Sequence, residues 1–150
     1  GALLGTRLSP AFGLLGGRSQ QIGLAADIGG NGRGLRLAAT ETRHAPRLAP
    51  AGLLRADGAL ISRSWSATAH APLAGGTLSL RLAQPLALID GRFRLANGAP
   101  LVVAATAQEA TGELGFDLGG MSFAAFHRRD AGNIPGLSDS GAAFTVRRYF

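Results

Sequence analysis

The feature that most constrains this chain is a period-two alternation of apolar and polar residues, broken by glycine-rich turns. In the segment from Ile22 to Ile28, Ile22, Leu24, Ala26 and Ile28 fall on one side. Gly29-Gly30-Asn31-Gly32 follows, and then Leu35 and Leu37 stand opposite Arg36 and Thr40. Successive side chains of a strand point to opposite faces, so this pattern describes strands and not helices. Two such runs around a Gly/Asn turn predict a hairpin.

The pattern recurs along the chain. Residues 59–71 predict a long strand, with Ser62, Ser64, Ser66, Thr68 and His70 on one face. Ile61, Arg63, Trp65, Ala67 and Ala69 take the other. Pro72 and Gly75-Gly76 end it. Leu78, Leu80 and Leu82 alternate with Thr77, Ser79 and Arg81, which predicts a strand with a polar, wet face; Ser62, Ser64, Ser66 and Thr68 belong to the same kind of face. Pro85 breaks this ladder, and Asp90-Gly91 marks a turn. Further short runs follow at Arg92–Leu95, Leu101–Val103, Glu113–Leu118 and Met121–Phe126, with Gly119-Gly120 as a turn. Residues 45–57 carry Pro46, Pro50, Gly52 and Asp57 and predict a loop. Ala104 to Ala110 has helical composition but lies between strand patterns, and is read as strand or loop. The chain closes with a strand from Ala142 to Phe150. The expected fold is all-β: an antiparallel β-barrel or partial barrel of eight to ten short strands, in one domain over residues 1–150. Most of these runs fall short of the roughly 9–11 residues of a membrane-spanning strand, residues 59–71 and the last strand excepted.

Composition narrows the function. Of 150 residues, 23 are Gly, and aromatics make up 6%, so the glycines are read as turns and small packing positions. The absence of Cys excludes disulfides, thiolate chemistry and cysteine-based zinc sites. The net charge of +6 comes from arginine alone. The arginines are scattered and lack an aromatic stacking platform, so no nucleic-acid partner is expected. No apolar run approaches the roughly 20 residues of a transmembrane helix. The opening Gly1-Ala2-Leu3-Leu4-Gly5 carries no basic leader, so an export signal is expected upstream and the chain is read as a C-terminal fragment.

Candidate chemistry is sparse. Asp139-Ser140-Gly141 resembles the surroundings of a serine nucleophile, and His44, His70 and His127 offer bases. A relay also needs an acid that orients the base, and an oxyanion hole. No extended motif supplies these, so Ser138 to Gly141 is read as a turn and no catalytic residue is assigned. The histidines lack metal-ligand spacing, which leaves no metal site. The glycine-rich run from Gly29 to Gly34 opens no helix and so makes no phosphate cradle. No cofactor is expected. Trp65 reads as a core or interfacial aromatic.

The C-terminus is more informative. Phe144, Val146 and Phe150 share the face of a closing strand that ends on an aromatic, with Ala142 and Arg148. Such a strand is typical of bacterial outer-membrane barrels, where closure removes unpaired edges. Several segments resemble the C-terminal, autotransporter-type region of bacterial S8 (subtilisin-like) serine peptidases. They are the opening Gly1 to Leu8, Ala11-Phe12-Gly13, the run from Leu78 through Gln84-Pro85-Leu86, and Phe126 to Asn133 with the terminal strand. The resemblance implies a non-catalytic anchoring or translocating β-domain in the outer membrane of a Gram-negative cell envelope. It implies as partners the membrane lipid, the barrel assembly machinery and an upstream passenger peptidase domain, which is absent from this chain. The alternatives are a secreted, soluble accessory β-domain of the same peptidases and a free-standing ligand-binding barrel or sandwich. What separates them is which face of the sheet is apolar and exposed.

Overall fold

The computed structural model describes Ala2–Leu3, Thr6–Arg7 and residues 14–147. The protein is all-β and antiparallel. Twelve strands are present among the described residues: β1 (Ala2–Leu3), β2 (Thr6–Arg7), β3 (Leu14–Gly30), β4 (Arg33–Leu48), β5 (Leu54–Ala56), β6 (Leu60–Leu73), β7 (Gly76–Asp90), β8 (Arg92–Leu95), β9 (Pro100–Val102), β10 (Ala110–Leu118), β11 (Met121–Arg129) and β12 (Ser138–Val146). A seven-stranded sheet has the order β12-β11-β10-β7-β6-β4-β3, a three-stranded sheet the order β5-β8-β9, and β1 pairs with β2. Among the described residues the seven-stranded sheet does not close on itself.

Tight hairpins build this meander. Asn31 and Gly32 join β3 to β4 with φ of 54° and 75°. Ala74 and Gly75 join β6 to β7 at 49° and 80°, and Gly119 and Gly120 join β10 to β11 at 49° and 92°. Two successive residues at positive φ form the turn whose twist matches that of the flanking strands. Asn and Gly enter this region readily, whereas Ala does so against its Cβ.

The strands are longer than the sequence pattern suggests. β3, β4, β6 and β7 hold 17, 16, 14 and 15 residues, and β10, β11 and β12 hold 9 each. In three of them proline is part of the reason. Pro46, Pro72 and Pro85 lie inside β4, β6 and β7 and do not end them. Pro85 lies past Ala83, where the pairing of β7 with β10 stops, so its missing N–H does not interrupt that ladder. Within 45–57, read as a loop, β4 runs on to Leu48 and β5 forms at Leu54–Ala56. Ser138 to Gly141 is strand and not turn, because it pairs residue by residue with Phe126 to Arg129. Ala104 to Gln108 is irregular, and β10 begins at Ala110.

The chain divides into two compact units. The first (residues 1–22, 41–63 and 88–105) contains the three-stranded sheet and a conventional core. Leu54, Leu60 and Phe93 are buried there, with Leu48, Leu88, Leu95 and Val103 packed around them. Ser62, expected on a wet face, is only 2% exposed in this unit. Arg94 reaches Asp57 at 3.0 Å, and Glu41 is held by both Arg43 and Arg63 at 2.8 Å.

The second unit (residues 23–40, 64–87 and 106–150) holds seven paired strands and is organised differently, as described below. Its Ala74 turn yields a test. Replacing Ala74 by Gly should relieve the strain of positive φ and stabilise the fold by about 1 kcal/mol. The check is the urea midpoint of the purified, refolded protein, which should rise with unchanged slope.

Candidate functional site

The functional question turns on the two faces of the seven-stranded sheet in the second unit. Register assigns them. Phe116 pairs with Leu78 and Phe123, and Phe123 with Phe144; Leu114 pairs with Leu80 and Ala125; Met121 pairs with Val146. Cross-strand partners share a face, so these residues form one surface. Side-chain contacts extend it. Trp65 Nε1 donates to Gln84 Oε1 at 2.9 Å, which places Trp65 beside Leu82 and Leu86. Asp27 and Arg36 meet at 3.8 Å, and His70 lies against Gly34. These two contacts put Leu24, Ile28, Leu35 and Leu37 on the same side as Trp65.

This apolar face is exposed. Leu24 is 79% accessible, Phe144 65%, Val146 62% and Leu82 48%. The opposite face is polar, and it is covered at Thr111 and Ala83, partners across β10 and β7, which are only 9% and 6% exposed. A water-soluble sheet has its apolar residues inside and its polar residues outside. Here the alternation is inverted, with Leu78, Leu80 and Leu82 sharing the exposed side as the sequence predicts.

The polar face is concave. A cavity of about 530 Å³ is lined from β4 (Ala38 to Thr40), β6 (Ser64 to Ser66), β7, β10 and β11 (Phe126, Arg128). Four strand spacings in a flat sheet would part β4 from β11 by roughly 19 Å. Sharing one cavity therefore requires the sheet to curl around its polar side.

Ion pairs line that side. Arg81 donates to Glu113 at 2.9 Å, directly across the β7–β10 ladder. Arg128 pairs with Asp139 directly across β11 and β12, stacks over Phe126 at 5.3 Å and lies 4.0 Å from Glu109. Glu109 is 7% exposed and heavily bonded. It accepts from Thr111 Oγ1 at 3.1 Å and from the Gly132 N–H at 2.7 Å. Its own N–H donates to Asn133 Oδ1 at 3.0 Å. Glu109 thus ties the 3-10 turn at Ala131–Asn133 to the mouth of the β10–β11 hairpin.

The nucleophile candidates are only partly assembled. His127 Nδ1 and Ser140 Oγ are 2.7 Å apart, as direct partners across β11 and β12. Asp139 is on the opposite face, engaged by Arg128, and cannot orient His127. In the first unit His44 Nδ1 meets Ser19 Oγ at 2.8 Å, a pair that sequence distance conceals. His70 covers Gly34. Among the described residues no group of three His, Cys, Asp or Glu side chains is placed to hold a metal. Of the closing-strand residues, Phe144 and Val146 lie on the exposed apolar face of β12, and Phe150 lies outside the described residues.

The fold and its faces define an antiparallel all-β protein with an inverted, curled sheet. Comparison with protein-family models, curated proteins and solved structures finds no match to this chain.

Glu109→Ala should leave the Gly132 N–H and the Thr111 hydroxyl without their acceptor. Unfolding free energy should fall by about 2 kcal/mol, with Glu109→Gln recovering part of it. Urea melts of both variants check this.

Proposed function

We propose that this chain is a non-catalytic outer-membrane β-domain that anchors a secreted S8-type serine peptidase and assists its export. The inverted sheet carries the reading. Large apolar side chains on the exposed face, including Leu80, Leu82, Leu114, Phe123 and Phe144, are each a third or more accessible. Full burial of such a side chain is worth about 1.5–3 kcal/mol. Left in water, the face forgoes an amount comparable with the whole stability of a domain, about 5–15 kcal/mol. Lipid on the apolar side and water in the polar concavity satisfy both faces, as in outer-membrane barrels.

The dimensions agree. From Leu78 to Leu86 the apolar side of β7 runs about 27 Å, which at the usual tilt covers about 20 Å of bilayer. Bacterial outer membranes are thinner than average. Trp65, exposed with its Nε1 bonded, suits a membrane boundary. The strands exceed or equal 9 residues throughout the sheet, which suits spanning. The peptidase passenger rests on the resemblance of the segments described above. In this reading Phe144 and Val146 face lipid, and Phe150 is the signal read by the barrel assembly machinery.

The test is membrane insertion in the full-length parent. Leu80→Arg and Leu114→Arg should each cost about 2–4 kcal/mol in lipid and sharply reduce heat-modifiable, membrane-extracted protein. Thr77→Arg, on the polar face, should insert normally. Deleting Phe150 should lower the assembled yield severalfold. Recovery of the unsubstituted parent and of all these variants in the soluble fraction would instead favour a secreted accessory domain, its apolar face covered by the passenger.

A further inference from the structure

Anchoring as proposed above uses the apolar face of the sheet and leaves the polar concavity unassigned. Every residue lining that cavity belongs to the second unit. Its volume of about 530 Å³ lies inside the range of small-molecule sites, roughly 300–1,000 Å³. The chemistry of the lining narrows the class of molecule that fits it.

Charge argues against an ion. Arg81 and Arg128 are matched in the lining by Glu109 and Glu113, two cations against two carboxylates. Both carboxylates are engaged. Glu113 accepts from Arg81 Nη1 at 2.9 Å, and Glu109 accepts from the Thr111 hydroxyl and the Gly132 N–H. Arg128 is paired with Asp139. A small cation or anion would have to disrupt these pairs to gain a partner of opposite sign. A neutral polar ligand would not. A guanidinium has several N–H donors and a carboxylate several acceptor positions, so each pair keeps groups of both kinds for an uncharged molecule. Thr40, Ser64 and Ser66 add hydroxyls, which both donate and accept. The lining also holds an aromatic ring. Phe126 folds down onto Gly141 and remains 37% accessible, with the Arg128 guanidinium 5.3 Å from its centroid. The face of such a ring carries partial negative charge and suits polarised C–H groups.

Many small donors and acceptors, no charge, and one side made of C–H groups describe a sugar. We propose that the polar concavity binds a short, uncharged oligosaccharide. The C–H side of one sugar ring lies against Phe126, and its hydroxyls bond to the Arg81–Glu113 pair, Ser64 and Ser66. The site belongs to the concave face and does not depend on what covers the apolar one, so it stands or falls separately from the membrane reading.

The whole chain is refolded in lauryldimethylamine oxide, a detergent without a sugar headgroup that could compete. It is titrated calorimetrically with maltose, maltotriose and chitobiose, and separately with inorganic phosphate and with spermidine. The expected result is saturable binding of at least one of the saccharides at millimolar concentration or below, and no binding of either ion. Phe126→Leu should weaken the saccharide about tenfold, while Phe126→Tyr, which keeps the ring, should retain it. The double variant Ser64→Ala, Ser66→Ala removes two hydrogen bonds and should also weaken it about tenfold. Parent-like far-UV circular dichroism is required of each variant, and the serine pair carries the test if Phe126→Leu does not fold. Folded protein that takes up none of the saccharides would overturn the proposal. So would saccharide binding that the folded variants leave unchanged, since the sugar would then sit elsewhere. Displacement of the saccharide by phosphate or spermidine would reveal an ion site and overturn it too.

Discussion

The inversion of the sheet's two faces is the constraint on which the rest of the second unit depends. Strand register is set by two-residue turns, and a slip of one residue would exchange the faces. Residues at positive φ in three hairpins, β3–β4, β6–β7 and β10–β11, hold that register. With the register held, Arg81 meets Glu113 and Arg128 meets Asp139 across neighbouring strands on the polar side. Displaced by one residue, each of these charges would sit among Leu80, Leu114 and Phe123. These ion pairs are partly exposed, so they act less as sources of stability than as penalties on the wrong register.

The same requirement explains much of the glycine. Rings lie over glycine in the neighbouring strand at several places in the second unit: Phe126 over Gly141, Phe116 over Gly76, and His70 over Gly34. A Cβ on Gly141 would stand 2.6 Å from the Phe126 ring. In the first unit His44 lies over Gly17 in the same way, 2.6 Å from where a Cβ would be. Each glycine lets a ring fold flat onto the sheet, covering backbone that would otherwise be open. On the concave polar face, where side chains converge, the Phe126–Gly141 and His70–Gly34 contacts are a way to keep both curvature and packing.

These relations were legible in the sequence to different depths. Alternation and turns come through well: Arg92–Leu95 is β8 as read, Gly119-Gly120 is a turn, and Leu78, Leu80 and Leu82 share a face. Which face is covered does not come through, because a period-two pattern looks the same from either side. Proline misleads where edge geometry decides, as at Pro85, since the sequence does not show where a pairing stops. Ser138 to Gly141 reads as a turn by residue type, yet β11 recruits it into a strand through nine consecutive pairs. The pairs Ser19–His44 and Glu109–Gly132 join residues 25 and 23 positions apart, and only the fold brings them together.

The two units follow opposite rules of burial. The first hides Leu54, Leu60 and Phe93 from solvent, as a protein in water must. The second turns Leu82, Leu114 and Phe144 outward and covers Thr111 and Glu109. In water, the free energy that drives apolar burial in the first would drive the second to hide its outer face. Strands β3, β4, β6 and β7 each carry residues of both units, so the change of rule falls within single strands. Along β6 it lies between Ser62, buried beside the first unit's core residue Leu60, and Trp65, exposed on the second unit's apolar face. The 14 to 17 residues of these strands are what lets each of them carry both patterns of burial.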